Sequence, residues 1–356
     1  MLSRASWGGR RVLLTGHTGF KGAWTSLVLR SLGAQVRGVA LAPDTEPNLY
    51  TLANLGNAVD SRELDIRDRN ALRRVVSEYA PEIVIHMAAQ SLVRQSYASP
   101  VETYETNVMG TINVLEAVRG VSSVRCVVVV TTDKCYVNRE WPWAYREDEA
   151  LGGRDPYSSS KACAEIVTAS WRDSFFSEGS PAIASARAGN VIGGGDWAAD
   201  RIIPDCVRAF TKRHPVELRH PGAVRPWQHV LEPVLGYLLL AERLAQQPRR
   251  FAEAWNFGPY ETDSDCVEKV VEIFSRHWGE GARWTSSPGP NPHEAMTLRI
   301  DSSKARMKLG WRPRLALEEA VAWTAEWYRG WASGVNAAAL CEKQIDKYLA
   351  LTLTQA

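Results

Sequence analysis

The chain has 356 residues, and its 42 Lys and Arg against 40 Asp and Glu leave a formal net charge of +2. This length suits one large α/β domain or two closely packed domains with a buried core. The charge balance argues against a nucleic-acid partner, and no apolar run reaches the ~18 residues of a membrane-spanning helix. The six cysteines lack the spacing of a metal site. We therefore expect a cytoplasmic protein with reduced thiols, no membrane partner and no metal.

Apolar strands alternate with helical patterns through the first half of the chain. Strictly apolar strands separated by helices indicate a parallel sheet that is covered on both faces. Ser99-Pro100 and Asp155-Pro156 each place a capping residue before a proline, a signal that starts a helix. The predicted strands are RRVLLTG, AQVRGVAL, the weaker NAVDSRELD, EIVIHMAA, VRCVVVVTT and PAIASARA, and the predicted helices span 21–32, 67–79, 100–118 and 157–176.

The regular alternation ends after Asn190, which indicates a second, smaller domain. We predict an α/β protein with a Rossmann-type doubly wound parallel sheet at 1–187 and a return segment at about 226–256. A smaller α/β substrate-binding domain would consist of 188–225 and 257–356, the latter including the C-terminal helices. The sequence contains no internal repeat and no low-complexity segment.

A glycine-rich loop, LLTGHTGFKGAW, connects the first strand to the first helix. Glycines at this turn let a pyrophosphate approach the helix N-terminus, whose free N–H groups favour anions. The strand–turn–helix context favours this interpretation over an ordinary tight turn and predicts a nicotinamide dinucleotide. The residues predicted to contact it here and after the fourth strand are Gly16, Gly19, Phe20, Lys21, Gly22 and Ala88.

Acidic residues after the second and third strands are candidates for the adenosine end of the cofactor. Asp44 and Glu46 follow the second strand, where a carboxylate usually holds the ribose. No Arg or Lys follows that strand to meet a 2′-phosphate, so NAD is favoured over NADP. Asp65 and Ile66 are placed to meet the adenine, although Asp65 could equally cap the next helix.

The stretch DPYSSSKACAE puts Tyr157 and Lys161 four residues apart, on one face of a helix. A phenol titrates near ~10, but a Lys cation and a positive nicotinamide ring would lower that value. Tyr157 would then take a proton from a sugar hydroxyl while Lys161 holds the nicotinamide ribose. Thr132, at the end of the fifth strand, would hydrogen-bond the same hydroxyl. The alternative is a surface Tyr beside an i,i+4 Lys.

The glycine loop with Tyr157 and Lys161 resembles the extended short-chain dehydrogenases/reductases, NAD-dependent epimerases and dehydratases of nucleotide sugars. The likeness covers about residues 10–330 and is greatest to the sugar 4,6-dehydratases. Within that family, relatives often place Asp near position 42, whereas this chain has Ala42 there and Asp44 two residues later. The longer motifs are HMAAQSLVR, TNVMGT, TTDKCY, YREDEALGGRDPYSSSKACAE, RAGNVIGGGDWAADRIIPD, RPWQHVLEP and WNFGP.

The resemblance also implies a substrate, an assembly and a metabolic role. The substrate would be CDP-glucose, with NAD retained through the reaction, and the base preference rests on the resemblance alone. Helices 100–118 and 157–176 would pair across a two-fold axis in a homodimer or a dimer of dimers. The product would enter deoxysugar synthesis for bacterial surface polysaccharide such as the lipopolysaccharide O-antigen.

The fifth strand ends in Asp133 and Lys134, directly after Thr132. A dehydratase needs two further proton carriers, one for the proton on carbon 5 and one for the departing hydroxyl of carbon 6. Related dehydratases carry an acid in place of Lys134, and the resemblance implies Lys134 as the base and Asp133 as the acid. These roles need a neutral Lys134 and a protonated Asp133, the reverse of their ordinary states at pH 7. Burial disfavours both charged forms, and the two groups would titrate as a pair. The alternative is a structural ion pair of Asp133 with Lys134 or Arg94.

The substrate pyrophosphate calls for cations, and Arg suits a bidentate grip on phosphate. By resemblance, Asn190 and Arg225 match family positions that contact substrate phosphate. Arg201 and His293 are weaker candidates.

Polar residues inside and after the strands need separate interpretations. Gln90 and Ser91 follow the fourth strand, and we predict that they touch the sugar or the nicotinamide. His86 lies within an apolar strand and is predicted to be a hydrogen-bonded core histidine. Arg187 and Arg219 are predicted to be structural or surface residues.

Two other functions stay open on the sequence. A nucleotide-sugar 4-epimerase would need only Thr132, Tyr157, Lys161 and NAD, and it would release no water. A non-catalytic, NAD-sensing Rossmann protein would not require Tyr157, Lys161 and Asp133 together, so their joint presence argues against it.

Overall fold

The computed structural model describes residues 2–176, 181–286 and 295–353. Within these ranges, a seven-stranded parallel sheet forms the centre of the fold. Its strands are β1 Arg11–Thr15, β2 Gln35–Ala40, β3 Asp60–Glu63, β4 Ile83–His86, β5 Cys126–Val130, β6 Ala182–Ala188 and a seventh at Ala254–Phe257. Across the sheet they lie in the order seventh, β6, β5, β4, β1, β2, β3. The predicted parallel sheet is confirmed, and each predicted strand coincides with one of β1 to β6.

Helices cover both faces of this sheet and extend beyond it. The α-helices of the described residues are Arg4–Trp7, Phe20–Ser31, Leu49–Leu52, Arg69–Tyr79, Val93–Ala98, Pro100–Tyr104, Gly110–Val118, Pro156–Phe175, Ile202–Thr211, Leu231–Gln246, Pro248–Phe251, Val267–Trp278, Leu317–Ala332 and Ala337–Leu353. Short strand pairs join 191–192 to 228–229, 224–225 to 265–266 and 216–218 to 284–286. None of the described helices is long and apolar enough to cross a membrane.

The two helix starts predicted from proline differ in how they are capped. Asp155 accepts a hydrogen bond from the Ser158 N–H at 2.9 Å, as a capping side chain should. Ser99 is the N-cap residue before Pro100, as predicted, but its side chain makes no capping hydrogen bond. The helix predicted over 100–118 contains a π-helical turn at Glu105–Met109.

Two apolar clusters cover the faces of the sheet, because successive side chains of each strand point to opposite sides. Val12 and Leu14 of β1 belong to one cluster, and Leu13 belongs to the other. The first cluster continues without a break into the helices Val267–Trp278 and Leu317–Ala332. In the region of the predicted return segment, residues 231–246 and 254–257 lie against β5 and β6. The predicted division of the chain into two domains between residues 187 and 188 stays a prediction.

A buried carboxyl, Glu232, anchors the C-terminal helices to this core. Its Oε1 accepts the N–H groups of Arg314 and Leu315, both at 2.8 Å. Its Oε2 accepts the hydroxyl of Tyr348 from the last helix. Burial raises the pKa of Glu232 to about 7, although these hydrogen bonds and Arg314 act to lower it.

This raised pKa predicts a pH-dependent stability. Because the folded-state pKa of Glu232 lies above the unfolded value, the carboxyl contributes stability at acid pH that is lost as the pH rises through about 7. Glu232→Gln removes the ionisation and keeps an acceptor oxygen. We subtract the melting temperature of the wild type from that of the variant at each pH. We expect this difference to be greater at pH 8.5 than at pH 5 by roughly 2 °C or more. A difference that is the same at both pH values in calorimetry would contradict this assignment.

Candidate active site

The candidate site lies at the carboxyl ends of β1, β4 and β5. β1 pairs with β2 on one side and β4 on the other, so the strand order reverses beside it. Ligands of doubly wound sheets bind at such a reversal. The glycine loop follows β1, residues 87–91 follow β4, and Thr132 to Lys134 follow β5.

The glycine loop forms a cradle that no other residue type would allow. Gly16 has a φ of +77°, and a Cβ there would lie 2.7 Å from the backbone nitrogen of Ala88. A Cβ on Gly22 would lie 2.0 Å from the Gly16 carbonyl oxygen. Gly19 begins the helix Phe20–Ser31, which has no side-chain cap, so its first N–H groups are available to a ligand. These observations fit the pyrophosphate of the predicted dinucleotide.

Cations surround this cradle. Lys21 lies close enough to Lys161, Arg201 and Lys134 for their charges to matter, and Asp133 is the nearby carboxylate. Burial and the neighbouring cations lower the pKa of Lys21 to about 7, against the opposing charge of Asp133. The pocket therefore favours anionic ligands, as a dinucleotide and a nucleotide sugar would be.

At the adenosine end, Asp65 is oriented by Arg67. It accepts the backbone N–H of Arg67 at 2.8 Å and the guanidinium at 2.6 Å, and this hydrogen bonding holds its pKa below the usual value. Asp68 caps the following helix by accepting the Ala71 N–H at 2.9 Å. The alternative of Asp65 as the helix cap was therefore wrong, and its contact to adenine beside Ile66 stays a prediction.

The loop after β2 carries the residues that were candidates for contact with the adenosine ribose. Ala42, Asp44 and Glu46 are all exposed. Thr18 of the glycine loop donates to the Leu41 carbonyl at 3.0 Å, which ties this loop to the end of β2. The ribose contact stays a prediction.

Tyr157 and Lys161 are buried in the first turns of the helix Pro156–Phe175. The Lys161 ammonium donates to the Val130 carbonyl at 3.3 Å. Burial raises the pKa of Tyr157 to about 12, although a hydrogen bond with Thr132 acts to lower it. Burial lowers the pKa of Lys161 to about 8, opposed by the Glu165 carboxylate. Desolvation of the phenolate outweighs the Thr132 hydrogen bond and the Arg201 cation, so the prediction that Lys161 lowers the pKa of Tyr157 in the protein was wrong. A lowering by a positive nicotinamide ring stays a prediction.

Asp133 and Lys134 lie in a single 3₁₀ turn that continues from β5. Thr132 Oγ1 donates to Asp133 Oδ1 at 3.0 Å, and Lys134 Nζ lies 3.8 Å from the same oxygen. Lys134 Nζ also donates to Asn190 Oδ1 at 3.4 Å. The side chain of Asp133 is only 1% exposed, whereas that of Lys134 is 26% exposed. An acid and a base therefore lie side by side next to Thr132.

The second carboxyl oxygen of Asp133 has no hydrogen-bond partner among the described residues, although it is buried. A buried polar atom without a partner is unfavourable unless a ligand or a proton satisfies it. This oxygen fits a group that gives a proton to a bound sugar better than a purely structural ion pair. Arg94, the other candidate ion-pair partner, lies 3.4 Å from Asp200.

The predicted sugar-binding residues after β4 have different roles. Ser91 Oγ accepts a hydrogen bond from Arg201 Nη2 at 3.1 Å, and the same guanidinium donates one to Asp196 at 2.9 Å. Arg201 is close enough to Tyr157 for its positive charge to act on the pKa of the phenol, so Arg201 borders the site. The Gln90 amide bonds to Thr103 Oγ1 and to its own loop, and its contact to the sugar stays a prediction.

The predicted phosphate contacts are only partly brought together. Asn190 lies beside Lys134, as described above. Arg225 is buried, and its guanidinium donates to the carbonyl oxygens of Val224 and Ala295 at 2.9 and 2.6 Å. His293 lies outside the described residues. Contacts of these residues with substrate phosphate stay predictions.

The polar residues predicted to be structural have internal partners. His86 bonds to the hydroxyls of Thr15 and Thr111 at 2.7 and 3.0 Å, and burial lowers its pKa to about 3. It is a neutral core histidine, as predicted. Arg187 forms a buried ion pair with Glu165 at 2.9 Å, and Arg219 an exposed one with Asp200 at 2.8 Å.

Asn107 is a supporting residue that the sequence did not reveal. It lies in the π-helical turn, and its Oδ1 accepts the Gln90 N–H at 2.9 Å. Its Nδ2 donates to Ser160 Oγ at 2.8 Å, on the helix of Tyr157. Asn107 therefore joins the loop after β4 to the candidate catalytic helix, Pro156–Phe175. The motif TNVMGT marked the segment, but a polar residue in a helix does not identify its distant partners.

A doubly wound sheet with a glycine cradle, Thr132, Tyr157 and Lys161 at its carboxyl edge defines an extended short-chain dehydrogenase/reductase. The family model described as GDP-mannose 4,6 dehydratase matches residues 13–324, and the chain belongs to this family. The chain is 48% identical to a CDP-glucose 4,6-dehydratase of Salmonella typhimurium, over 99% of both chains. It is 27% identical to a dTDP-glucose 4,6-dehydratase of Xanthomonas campestris, over 91% of this chain and 95% of the relative.

Solved structures share the fold. A UDP-glucose 4-epimerase of Thermus thermophilus in complex with NAD superposes with a TM-score of 0.77 at 24% identity, over 90% of this chain and 99% of the other. A dTDP-glucose 4,6-dehydratase of Bacillus anthracis in complex with NAD gives a TM-score of 0.74 at 20% identity, over 93% and 100%. At these identities the comparisons show the fold, and they include both epimerases and dehydratases.

Gly189 gives Asp133 its space and provides a test of the site. A Cβ on Gly189 would lie 2.3 Å from Pro226 Cγ and 3.2 Å from Asp133 Oδ2. We expect Gly189→Ala to displace one of these groups and to lower kcat roughly tenfold or more. Gly222→Ala is the matched control, because its Cβ would meet nothing within 4 Å. Equal kcat values for the two variants would show that the space beside Asp133 is not required.

Proposed function

We propose that the protein converts CDP-D-glucose to CDP-4-keto-6-deoxy-D-glucose and water. The observation that carries this proposal is the buried Asp133, whose Oδ2 lacks a partner among the described residues, with Lys134 3.8 Å from its other oxygen. Oxidation at carbon 4 alone would not need this pair. Full-length similarity to a relative named CDP-glucose 4,6-dehydratase supports the substrate.

We propose NAD as the cofactor. The free helix N-terminus after Gly19 would hold the pyrophosphate, Asp65 and the Ile66 backbone the adenine, and Lys161 the nicotinamide ribose. When bound, NAD would supply the hydride acceptor for the oxidation at carbon 4 and the hydride donor for the reduction at carbon 6. The glycine cradle and the surrounding cations support this assignment.

Oxidation of the sugar begins with Tyr157. Its phenolate would take the proton of the carbon 4 hydroxyl, with Thr132 hydrogen-bonded to the same oxygen. Lys161 would hold the nicotinamide ribose, and at neutral pH it is mostly charged because its pKa is about 8. The resulting ketone makes the proton on carbon 5 acidic.

Elimination then uses the Asp133–Lys134 pair. Lys134, as the neutral amine, takes the proton from carbon 5, and Asp133 gives its proton to the hydroxyl that leaves carbon 6 as water. After carbon 6 is reduced, Lys134 returns a proton to carbon 5. The proton that Tyr157 removed must reach Asp133 before the next cycle, so the whole sequence loses one molecule of water.

A nucleotide-sugar 4-epimerase is the second candidate. It would use the same Thr132, Tyr157 and Lys161, and a solved epimerase shares the fold. Asp133 and Lys134 favour the dehydratase, because epimerisation leaves them without a proton to carry.

The decisive experiment incubates the full-length protein and NAD with CDP-, dTDP-, GDP- and UDP-glucose and analyses the products by mass spectrometry. We expect CDP-glucose to become lighter by one water and to develop the alkaline absorbance of a 4-keto-6-deoxy sugar. A product of unchanged mass with inverted carbon 4 would identify an epimerase. If every sugar stays unchanged, the proposed function fails.

Lys134→Ala tests the assignment of the base. We expect the variant to fold and bind NAD, but to exchange the carbon 5 proton with solvent deuterium at least about 10²-fold more slowly. Lys343→Ala is the matched control, because its ammonium is exposed and pairs with Glu326. Wild-type product formation by Lys134→Ala would refute the role of Lys134.

We also propose a homodimer, or a dimer of dimers, built on the helices between 93 and 118 and at 156–175. Exposed apolar side chains on these helices support it: Tyr97, Val101, Tyr104, Met109, Ile166 and Phe175. Val101 is 70% exposed, which is unfavourable for a large apolar side chain that stays in water. We expect Val101→Asp with Ile166→Asp to reduce the mass measured by light scattering from that of a dimer or tetramer. An unchanged mass would place the interface elsewhere.

We further propose a cytoplasmic location and a role in deoxysugar synthesis for surface polysaccharide. All six cysteines lie among the described residues and are unpaired. Free thiols support a reducing compartment.

A further inference from the structure

A buried carboxylate, Glu165, lies under the site and has no part in the reaction steps above. It follows Lys161 by one helical turn and Tyr157 by two, so the three residues share one face of the helix. Only 3% of Glu165 is exposed. A charge buried this deeply needs several partners.

Those partners come from two neighbouring strands. Thr131, at the end of β5, donates its hydroxyl to Oε1 of Glu165. Ser185 of β6 donates to Oε2 at 2.6 Å, and Arg187 Nη2 donates to the same oxygen at 2.9 Å. The carboxylate therefore ties the catalytic helix to both β5 and β6.

The contact with Thr131 bears directly on the reacting groups. Thr131 precedes Thr132 and Asp133 in the chain, and consecutive Cα atoms are about 3.8 Å apart, so a shift at Thr131 moves both. Tyr157 lies on the same rigid helix as Glu165. The Glu165–Thr131 hydrogen bond thus sets the separation between Tyr157 and the residues at the end of β5.

Glu165 also supplies charge next to Lys161. Among the described residues, the titratable groups that interact with Lys161 include Glu165, Cys135, Lys21 and His86. Burial raises the pKa of Cys135 well above its usual value and lowers that of His86 to about 3, so both are neutral at pH 7. Among these described neighbours, Glu165 is the anion that favours the Lys161 cation.

We propose that Glu165 is a positioning residue for the dehydration: it holds Thr132 and Asp133 opposite Tyr157, and it keeps Lys161 charged. The inference rests on the function proposed above. The hydrogen bond between Thr131 and Glu165 would therefore act on the reacting groups as well as on the packing of the helix against β5.

Thr131→Val tests the positioning role without changing any charge. We expect kcat to fall roughly tenfold or more, with KM within about twofold of wild type and an unchanged pH profile. Thr168→Val is the matched control: Thr168 is buried on the same helix, and its hydroxyl donates to the Ala164 carbonyl at 2.7 Å. Equal kcat values for the two variants would overturn the positioning role.

Glu165→Gln tests the charge. Lys161 supports binding while it is charged, so NAD affinity should weaken as the pH rises through about 8. Without the carboxylate the neutral amine is favoured, and we expect this weakening about one pH unit lower. Tryptophan fluorescence measures NAD binding to full-length protein freed of nucleotide, without any sugar. Coincident curves for variant and wild type would overturn the charge role.

The two readouts separate this inference from the proposed function. If the wild type leaves CDP-glucose unchanged, the function fails, and the NAD-binding curves still decide the charge role of Glu165. If Glu165→Gln does not fold because Arg187 loses its partner, the comparison of Thr131→Val with Thr168→Val still decides the positioning role.

Discussion

Desolvation at the carboxyl edge of the sheet is the constraint on which the site depends. Burial is the largest influence on the pKa values of Tyr157, Lys161 and Lys21, ahead of any single charge. It makes the phenol harder to ionise and the ammonium easier to neutralise. In such surroundings each remaining charge or hydrogen bond acts more strongly than in water. The chemistry is therefore controlled by a few close contacts.

The fold provides this burial by bringing two parts of the chain over the same sheet edge. Lys134 after β5 reaches Asn190, and Ser91 after β4 accepts Arg201. The apolar cluster under these contacts continues into the later helices, so the two parts share one core. A sugar bound there would be shielded from water on the side of the sheet, where the acid and the base lie.

A connected network of buried polar side chains lies beneath the site. Arg187, paired with Glu165, also donates to the Tyr136 hydroxyl at 2.8 Å. Tyr136 in turn donates to Asn256 of the seventh strand at 2.7 Å. Breaking one member of such a buried network leaves the others unpaired, which is more destabilising than the net strength of any one bond. The network lies under Thr132 and Asp133, whereas the Oδ2 atom of Asp133 has no hydrogen-bond partner among the described residues.

The sequence by itself determined the parallel sheet, the glycine cradle, and the placing of Tyr157 and Lys161 on one helix face. These features follow from strand and helix periods and from backbone freedom at glycine, which depend on neighbours along the chain. Only the tertiary structure decided that burial raises the pKa of Tyr157. It also decided that Asn107 joins two distant segments. Solvation and long-range hydrogen bonds depend on what the folded chain brings together, and no local pattern encodes them.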